Sequence, residues 1–226
     1  GVLDVGAGPW PYRPLFAHCS YAAQDFAQHV GSTEGPLADR GQWQYGALDY
    51  VCDATAIPVP DASFDVVLCT EVIEHVPQPE GVVREAARIL RPGGLLLLTA
   101  PLGSGLHQEP DHYFGGFTPH WYRRFLAAAG FEAIDITPNG GFFSNYAQET
   151  RRFSAWIGPR HLPPVAAAIL FPVWLLSLPL CRIVVPLLCG WLDRFDTHRG
   201  FTVGYHVAAR RTPADQDLRK WSSAHE

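Results

Sequence analysis

The chain has 226 residues, 47% of them apolar and 17% charged. That is enough for one sizeable core with an elaboration, and too apolar for a disordered protein. The net charge of -5 gives no basic footprint for nucleic acid. The five cysteines (19, 52, 69, 181 and 189) show no Cys-x-x-Cys spacing and the ten histidines form no tract, so reduced, buried thiols in a reducing compartment are expected.

Strand-like and helix-like runs alternate over the first 140 residues. Val2–Val5 is apolar with Asp4 inserted and runs into Gly6-Ala7-Gly8. Tyr21 to Ala23 leads to Gln24-Asp25, Leu48 to Cys52 leads to Asp53, and Asp65 to Cys69 reads as a buried strand. In "PEGVVREAARILRPGG", Val82, Val83, Ala86, Ala87 and Leu90 recur at helical spacing, and Arg91-Pro92-Gly93-Gly94 stops the helix before a strand over Leu95 to Thr99. Thr118, Pro119 and Gly130 bracket a second helix as N-cap, first helical residue and stop, with a strand over Phe131 to Thr137 behind it. Short continuous apolar runs separated by helices mean an open, mostly parallel sheet covered on both faces.

The alternation then breaks. Leu162 to Leu192 is almost wholly apolar, with Arg182 its only charge and prolines at 163, 164, 172, 179 and 186. "GFTVGYHVAARR" alternates like a strand returning to the sheet, and residues 212–226 read as a polar tail. The expected organisation is a core over 1–140, an apolar helical cap or membrane-interface insertion over 141–195, a returning strand within 196–211, and the tail. The chain contains no methionine and opens at the start of a strand. We therefore expect that an N-terminal segment is missing from it.

Ligands of open α/β sheets bind beyond the carboxyl ends of the strands. Gly6 and Gly8 stand at such an end, where the missing Cβ permits a tight turn and close approach. A pyrophosphate would need a third glycine and a helix N-terminus, and Pro11 stands there instead. Each of Asp4, Asp25 and Asp53 alone reads equally as a cap or turn residue. Three acids in successive strands beside one glycine loop point together to a nucleoside-like ligand.

The ordered blocks "VLDVGAG", "AAQDF", "VCDATAIPVPDASFDVVLCTEVIEHV" and "EAARILRPGGLLLLTAP" resemble those of class I S-adenosylmethionine-dependent methyltransferases, in particular the bacterial type 11 group. The resemblance runs from Gly1 to about Thr137 and takes in the returning strand. It implies a Rossmann-like, doubly wound, mostly parallel seven-stranded α/β sheet with an antiparallel last strand, here with an apolar helical insertion. It implies S-adenosyl-L-methionine as cofactor, a phosphate-free ligand that explains the absent third glycine. By the same resemblance Gly6, Ala7 and Gly8 line the amino acid part of the cofactor and Asp4 supports its ammonium. Asp25 binds the ribose, Phe26 flanks the adenine, Asp53 and Ala54 meet its edge, and Thr70 lies near the methionine moiety. Pro9-Trp10-Pro11 is stiffer than the small residues usual in the family.

Methyl transfer asks the protein to align a nucleophile and, for a hydroxyl, to remove its proton. Candidate groups follow the fourth and fifth strands: Glu71, Glu74 and His75, then His107, Glu109, Asp111, His112 and Tyr113. His107 is the preferred general base, since family members often carry a histidine there and imidazole titrates near neutrality. His107, Glu109 and His112 read as metal ligands is the minor alternative, because Pro110 keeps them off one helix; no metal is expected. The acceptor is expected to be a small molecule, sugar or lipid-linked compound, methylated at oxygen or nitrogen. The alternatives are a membrane-associated cofactor-binding module without catalysis and an NAD-dependent oxidoreductase. Leu162 to Leu192 is a cap over the ligand edge of the sheet, a membrane-surface hairpin or, as the minor alternative, a membrane span, and in the first two it is expected as short helices bent at Pro172, Pro179 or Pro186. The expected location is cytoplasmic, at the inner membrane face if that stretch meets lipid.

Overall fold

The computed structural model describes residues 1–29 and 44–213; the expected polar tail lies outside them from residue 214 onward. Seven strands form one sheet: β1 (Val2–Val5), β2 (Tyr21–Asp25), β3 (Tyr50–Val51), β4 (Phe64–Thr70), β5 (Leu90–Pro101), β6 (Phe131–Pro138) and β7 (Gly204–Arg211). Their order is β3-β2-β1-β4-β5-β7-β6. β1 pairs in parallel with β2 and with β4, and β4 in parallel with β5. β7, between β5 and β6, is the antiparallel strand. The order reverses between β1 and β4, which makes the carboxyl ends of those strands the switch point.

All four residues of β1 are buried, as a central strand covered on both faces requires. α1 (Pro79–Ile89) lays Val82, Val83, Ala86 and Ala87 on Leu3, Val67, Leu96 and Leu98 of the sheet, and α2 (Pro119–Ala128) adds Tyr122 and Leu126 to the same core. α2 begins where its cap predicts: the Thr118 hydroxyl accepts from Trp121 N at 3.3 Å. From α1, Glu85 accepts from Ile57 N at 2.7 Å, and its partner Arg88 donates to the carbonyls of Ile57 and Val59 and to Asp61. One buried carboxylate and one guanidinium thus pin the loop that follows Asp53.

Two strands differ from their sequence pattern. β3 is only Tyr50–Val51, not Leu48 to Cys52, because Asp49 caps β2: its carboxylate accepts from Ala23 N at 2.8 Å and its N–H donates to Ala23 O. Leu90 leaves α1 to open β5 opposite Phe64, after which the register jumps to Val66 opposite Leu95. Arg91 to Gly94 therefore form a bulge within the strand, with Gly93 at φ +79°. All five cysteines are free; Cys69, Cys181 and Cys189 are buried as expected, whereas Cys19 is exposed.

The described chain divides into two compact units, one of residues 1–29, 44–137 and 205–213, the other of 138–204. The return to the sheet begins at Gly204, so residues 196–203, expected in the returning strand, belong to the second unit. That unit is a helical hairpin of α3 (Phe142–Trp156), α4 (Pro164–Pro179), a π-helical segment (Leu180–Val184) and α5 (Val185–Leu192). As the prolines led us to expect, the apolar stretch holds more than one helix, α4 ending at Pro179 and α5 starting at Val185, but the π-helical segment joins them into one path from Pro164 to Phe195. Each proline removes one backbone donor, and the path absorbs Pro186 by widening ahead of it, where Val185 N–H reaches Leu180 O. Asp193 and Asp196 close the hairpin by accepting from the otherwise free N–H groups of Gly141, Phe142 and Ser144.

Candidate active site

A cavity of about 450 Å³ opens at the switch point. Gly6, Ala7, Gly8, Asp25, Phe26, Asp53, Ala54 and Thr70, all named from the sequence, line it. The turn after β1 demands its glycines: Gly6 stands at φ +67° and Gly8 at φ +51°, and a Cβ on Gly6 would lie 2.3 Å from a Val72 methyl. The 3₁₀ turn Arg13–Phe16 follows this loop in place of an α-helix. Trp10, also at positive φ, packs flat on Gly46, which donates to Gly8 O at 3.0 Å.

Asp25 both shapes the loop and faces the cavity. Its carboxylate accepts from Gly8 N at 2.9 Å and from Ala27 N at 3.0 Å, and the remaining lone pairs stay available to hydroxyl donors. Asp53 holds its own turn by accepting from Thr55 N and Thr55 Oγ1, both at 2.8 Å. Phe26, half exposed, offers a ring to the cavity. Asp4 is placed differently from the expectation: it is 1% exposed inside β1 and forms no part of the cavity wall. Tyr21 OH donates to one of its oxygens and the other has no partner. Burial, with a smaller push from Asp25 and against the Tyr21 bond, raises its pKa to about 6.

Gln24 is the residue that the sequence reading passed over. It is 1% exposed, lines the cavity, accepts from Gly6 N at 3.3 Å and donates to Cys52 O at 2.6 Å. An amide in an otherwise apolar strand was the available signal.

On the acceptor side, His75, Gln108, Asp111 and Tyr113 contribute to the wall. The segments after β4 and β5 are joined by Tyr113 N and Phe114 N donating to Glu74 O. His75, His107 and His112 stack together, with ring centroids 4.4 to 5.6 Å apart. His107 itself does not line the cavity, because its Nδ1 turns back to donate to Gly105 O at 2.9 Å and its ring packs edge-on to His75. His75 Nδ1 donates to Asp111 O at 2.7 Å, leaving Nε2 an acceptor. Burial lowers the His75 pKa to about 4 and, in Glu74, raises it to about 8. Near neutral pH neither is charged, so their 4.0 Å approach is no ion pair.

A metal reading gathers different residues from those the sequence suggested. Glu74, His75 and His107, not His107, Glu109 and His112, bring one donor atom each within 4.8 Å of one another. Tetrahedral zinc ligands at about 2.1 Å from the ion lie about 3.4 Å apart, and Glu74 Oε1 and His75 Nε2 stand at 4.0 Å.

An open sheet with a glycine turn and strand-end carboxylates around one switch-point cavity is the architecture of class I, S-adenosylmethionine-dependent methyltransferases. Residues 3–98 match the family described as "Methyltransferase domain". An uncharacterized methyltransferase of Mycobacteroides abscessus is 35% identical over 136 residues, 54% of this chain and 50% of the relative. A sarcosine/dimethylglycine N-methyltransferase of Halorhodospira halochloris is 33% identical over 146 residues, 59% of this chain and 52% of the relative. Among solved structures, a SAM dependent methyltransferase from Archaeoglobus fulgidus superposes with a TM-score of 0.52 at 14% identity, over 93% of this chain and 85% of that one, which shows the fold. The chain resembles the methyltransferase domain family over residues 3–98. It spans about half the length of the curated relatives that it matches.

Proposed function

We propose that the chain binds S-adenosyl-L-methionine in the switch-point cavity and transfers its methyl group to oxygen or nitrogen of a small-molecule, sugar or lipid-linked acceptor. The observation that carries this reading is the charge of the cavity. Asp25, Asp53, Glu71 and Asp111 line it, and among the described lining residues there is no lysine or arginine. Such a wall favours a sulfonium and an ammonium and disfavours a pyrophosphate. The glycine turn, which no Cβ could share with Val72, and the unpartnered Asp4 oxygen behind it fit the amino acid end of that ligand. Asp25 takes the ribose hydroxyls, Phe26 flanks the adenine, Asp53 with Ala54 meets its edge, and Thr70 lies by the methionine part. Asp4, set behind the wall, acts on the ammonium through its charge rather than by contact.

When bound, the cofactor would supply a methyl carbon on positively charged sulfur: an acceptor lone pair would bond to that carbon as the carbon–sulfur bond breaks and the neutral thioether leaves. The chain's work is alignment and, for a hydroxyl acceptor, proton removal. His75 Nε2 orients the acceptor as a neutral hydrogen-bond partner. For His107 to take the proton, its ring has to leave Gly105 O and turn from behind His75 into the cavity. An amine acceptor, as in the named relative from Halorhodospira halochloris, needs less from this base.

Calorimetric titration tests the reading. S-adenosylmethionine and S-adenosylhomocysteine should bind and NAD should not; comparable NAD binding would support the oxidoreductase instead. Turnover with a panel of hydroxyl and amine acceptors separates an enzyme from a binding module, and silence across the panel with intact cofactor binding counts for the module.

A further inference from the structure

The helical unit turns its largest apolar side chains outward. Along the path Pro164–Phe195, Val165, Ile169, Leu175, Leu176, Leu187 and Leu188 are exposed, Leu176 by 75% and Leu187 by 71%. Neighbouring residues in a helix point about 100° apart, so exposed pairs such as Leu175-Leu176, Ile183-Val184 and Leu187-Leu188 cover far more than one face. The residues that do pack inward are small or weakly polar: Ser177, Cys181 and Cys189 are buried, opposite Ser154 of α3, which is 0% exposed. Trp174 Nε1 donates to Ser154 O at 3.1 Å and Arg182 Nε to Ser154 Oγ at 3.3 Å. An internal cap would bury its leucines; this hairpin buries its serines and cysteines.

That inversion identifies the solvent. A protein groove covers one face of a helix, whereas a bilayer accepts an apolar surface on every side that is not already packed. We propose that the hairpin of α3, α4 and α5 binds the surface of an anionic lipid bilayer, with the helical path Pro164–Phe195 lying in the membrane plane and sunk into the acyl boundary. An upright span fits poorly. Thirty-two residues at 1.5 Å each run about 48 Å against a hydrocarbon core of about 30 Å. Arg182 would sit at depth, and α3, which carries Glu149, Arg151 and Arg152, packs along the same path. Charge selects the lipid. Residues 138–204 hold six arginines (151, 152, 160, 182, 194 and 199) and three acids (Glu149, Asp193 and Asp196), in a chain that is acidic as a whole. Trp156 and Trp191, each about half exposed, are side chains that favour the headgroup level.

The test is flotation of the full chain with vesicles of phosphatidylcholine and phosphatidylglycerol, and with phosphatidylcholine alone. The chain should float with the mixed vesicles and markedly less with the neutral ones. Leu176→Glu with Leu187→Glu should cut partitioning by at least about tenfold. Both positions are exposed, so S-adenosylhomocysteine binding by the variant, measured by calorimetry, should match the parent and report an intact fold. Trypsin added outside the vesicles should cut at both Arg160, just before the path, and Arg194, at its far end. A chain that stays in the soluble fraction, a variant that floats like the parent, or protection of one of the two arginines until the vesicles are opened would overturn the proposal.

Discussion

In the proposed function Asp25 has two duties, holding the loop and binding the ribose, that substitutions can separate. In Asp25→Asn the side chain keeps its shape and one oxygen, so one of the Gly8 and Ala27 N–H groups retains an acceptor while the other faces an amide donor. A hydrogen bond to a charged group is worth about 1.5–3 kcal/mol against about 1 kcal/mol for a neutral pair. Two ribose hydroxyls that lose a charged acceptor should therefore weaken cofactor binding by about 2–3 kcal/mol, roughly 30- to 150-fold. Asp25→Ala removes both acceptors from the backbone, at 2.9 Å from Gly8 N and 3.0 Å from Ala27 N. Gly8 is buried, and its orphaned N–H should cost a further 1–3 kcal/mol or so of folding stability. Titration with S-adenosylhomocysteine gives the affinities and thermal melting gives the stabilities. The asparagine variant should bind weakly and lose less stability than the alanine variant, which forfeits both backbone acceptors. An asparagine variant that binds within a factor of about three of the parent would remove Asp25 from the ribose site.

If His107 is the base for a hydroxyl acceptor, His107→Ala should lower turnover by about 10²–10⁴-fold while cofactor affinity holds, and an amine acceptor should be much less affected. Undiminished turnover on a hydroxyl acceptor would end that role. Glu74 titrates near 8 in the folded chain against 4.5 for a free carboxyl, so the folded state keeps a proton that the unfolded state loses. Stability from this group is complete below about pH 4.5 and drains away as the pH rises toward about 8. The melting temperature of the parent should fall across that window and that of Glu74→Gln should fall less. Parallel curves would show that Glu74 does not set the slope.

The half of the site built from β1, β2 and the turn after β3 was legible because its signals are local. Gly6 and Gly8 follow an apolar run, and Asp25 and Asp53 each stand directly beyond one. Asp4 was legible as a buried acid but not as one set behind the wall, since strand alternation does not say how far a neighbouring Tyr21 reaches. The acceptor side was not legible as a unit. Glu74 and Tyr113 are far apart in sequence and meet through backbone hydrogen bonds, which carry no residue signature. The same holds for the bulge over Arg91 to Gly94: its residues announced a turn, and only the pairing of Leu90 with Phe64 put that turn inside a strand. The prolines of the apolar stretch marked the break at Pro179 but not how the path continues through it. A proline reports a missing donor, while the backbone's answer, a wider turn ahead of Pro186, is a tertiary choice.

Gly6 and Val72 share one space, and the sharing is lopsided as raw material for descent. Shortening Val72 would leave room where a Gly6 side chain now cannot go, yet the backbone at φ +67° would still resist any L-residue there. Change can therefore enter this corner only from the Val72 side. A lineage that trims Val72 enlarges the chamber between the two lips of the sheet and can restore the methyl groups later. One that first alters Gly6 loses the loop before any compensating step is within reach. Descendants that take larger or smaller acceptors should thus differ at position 72 and keep position 6 as it is.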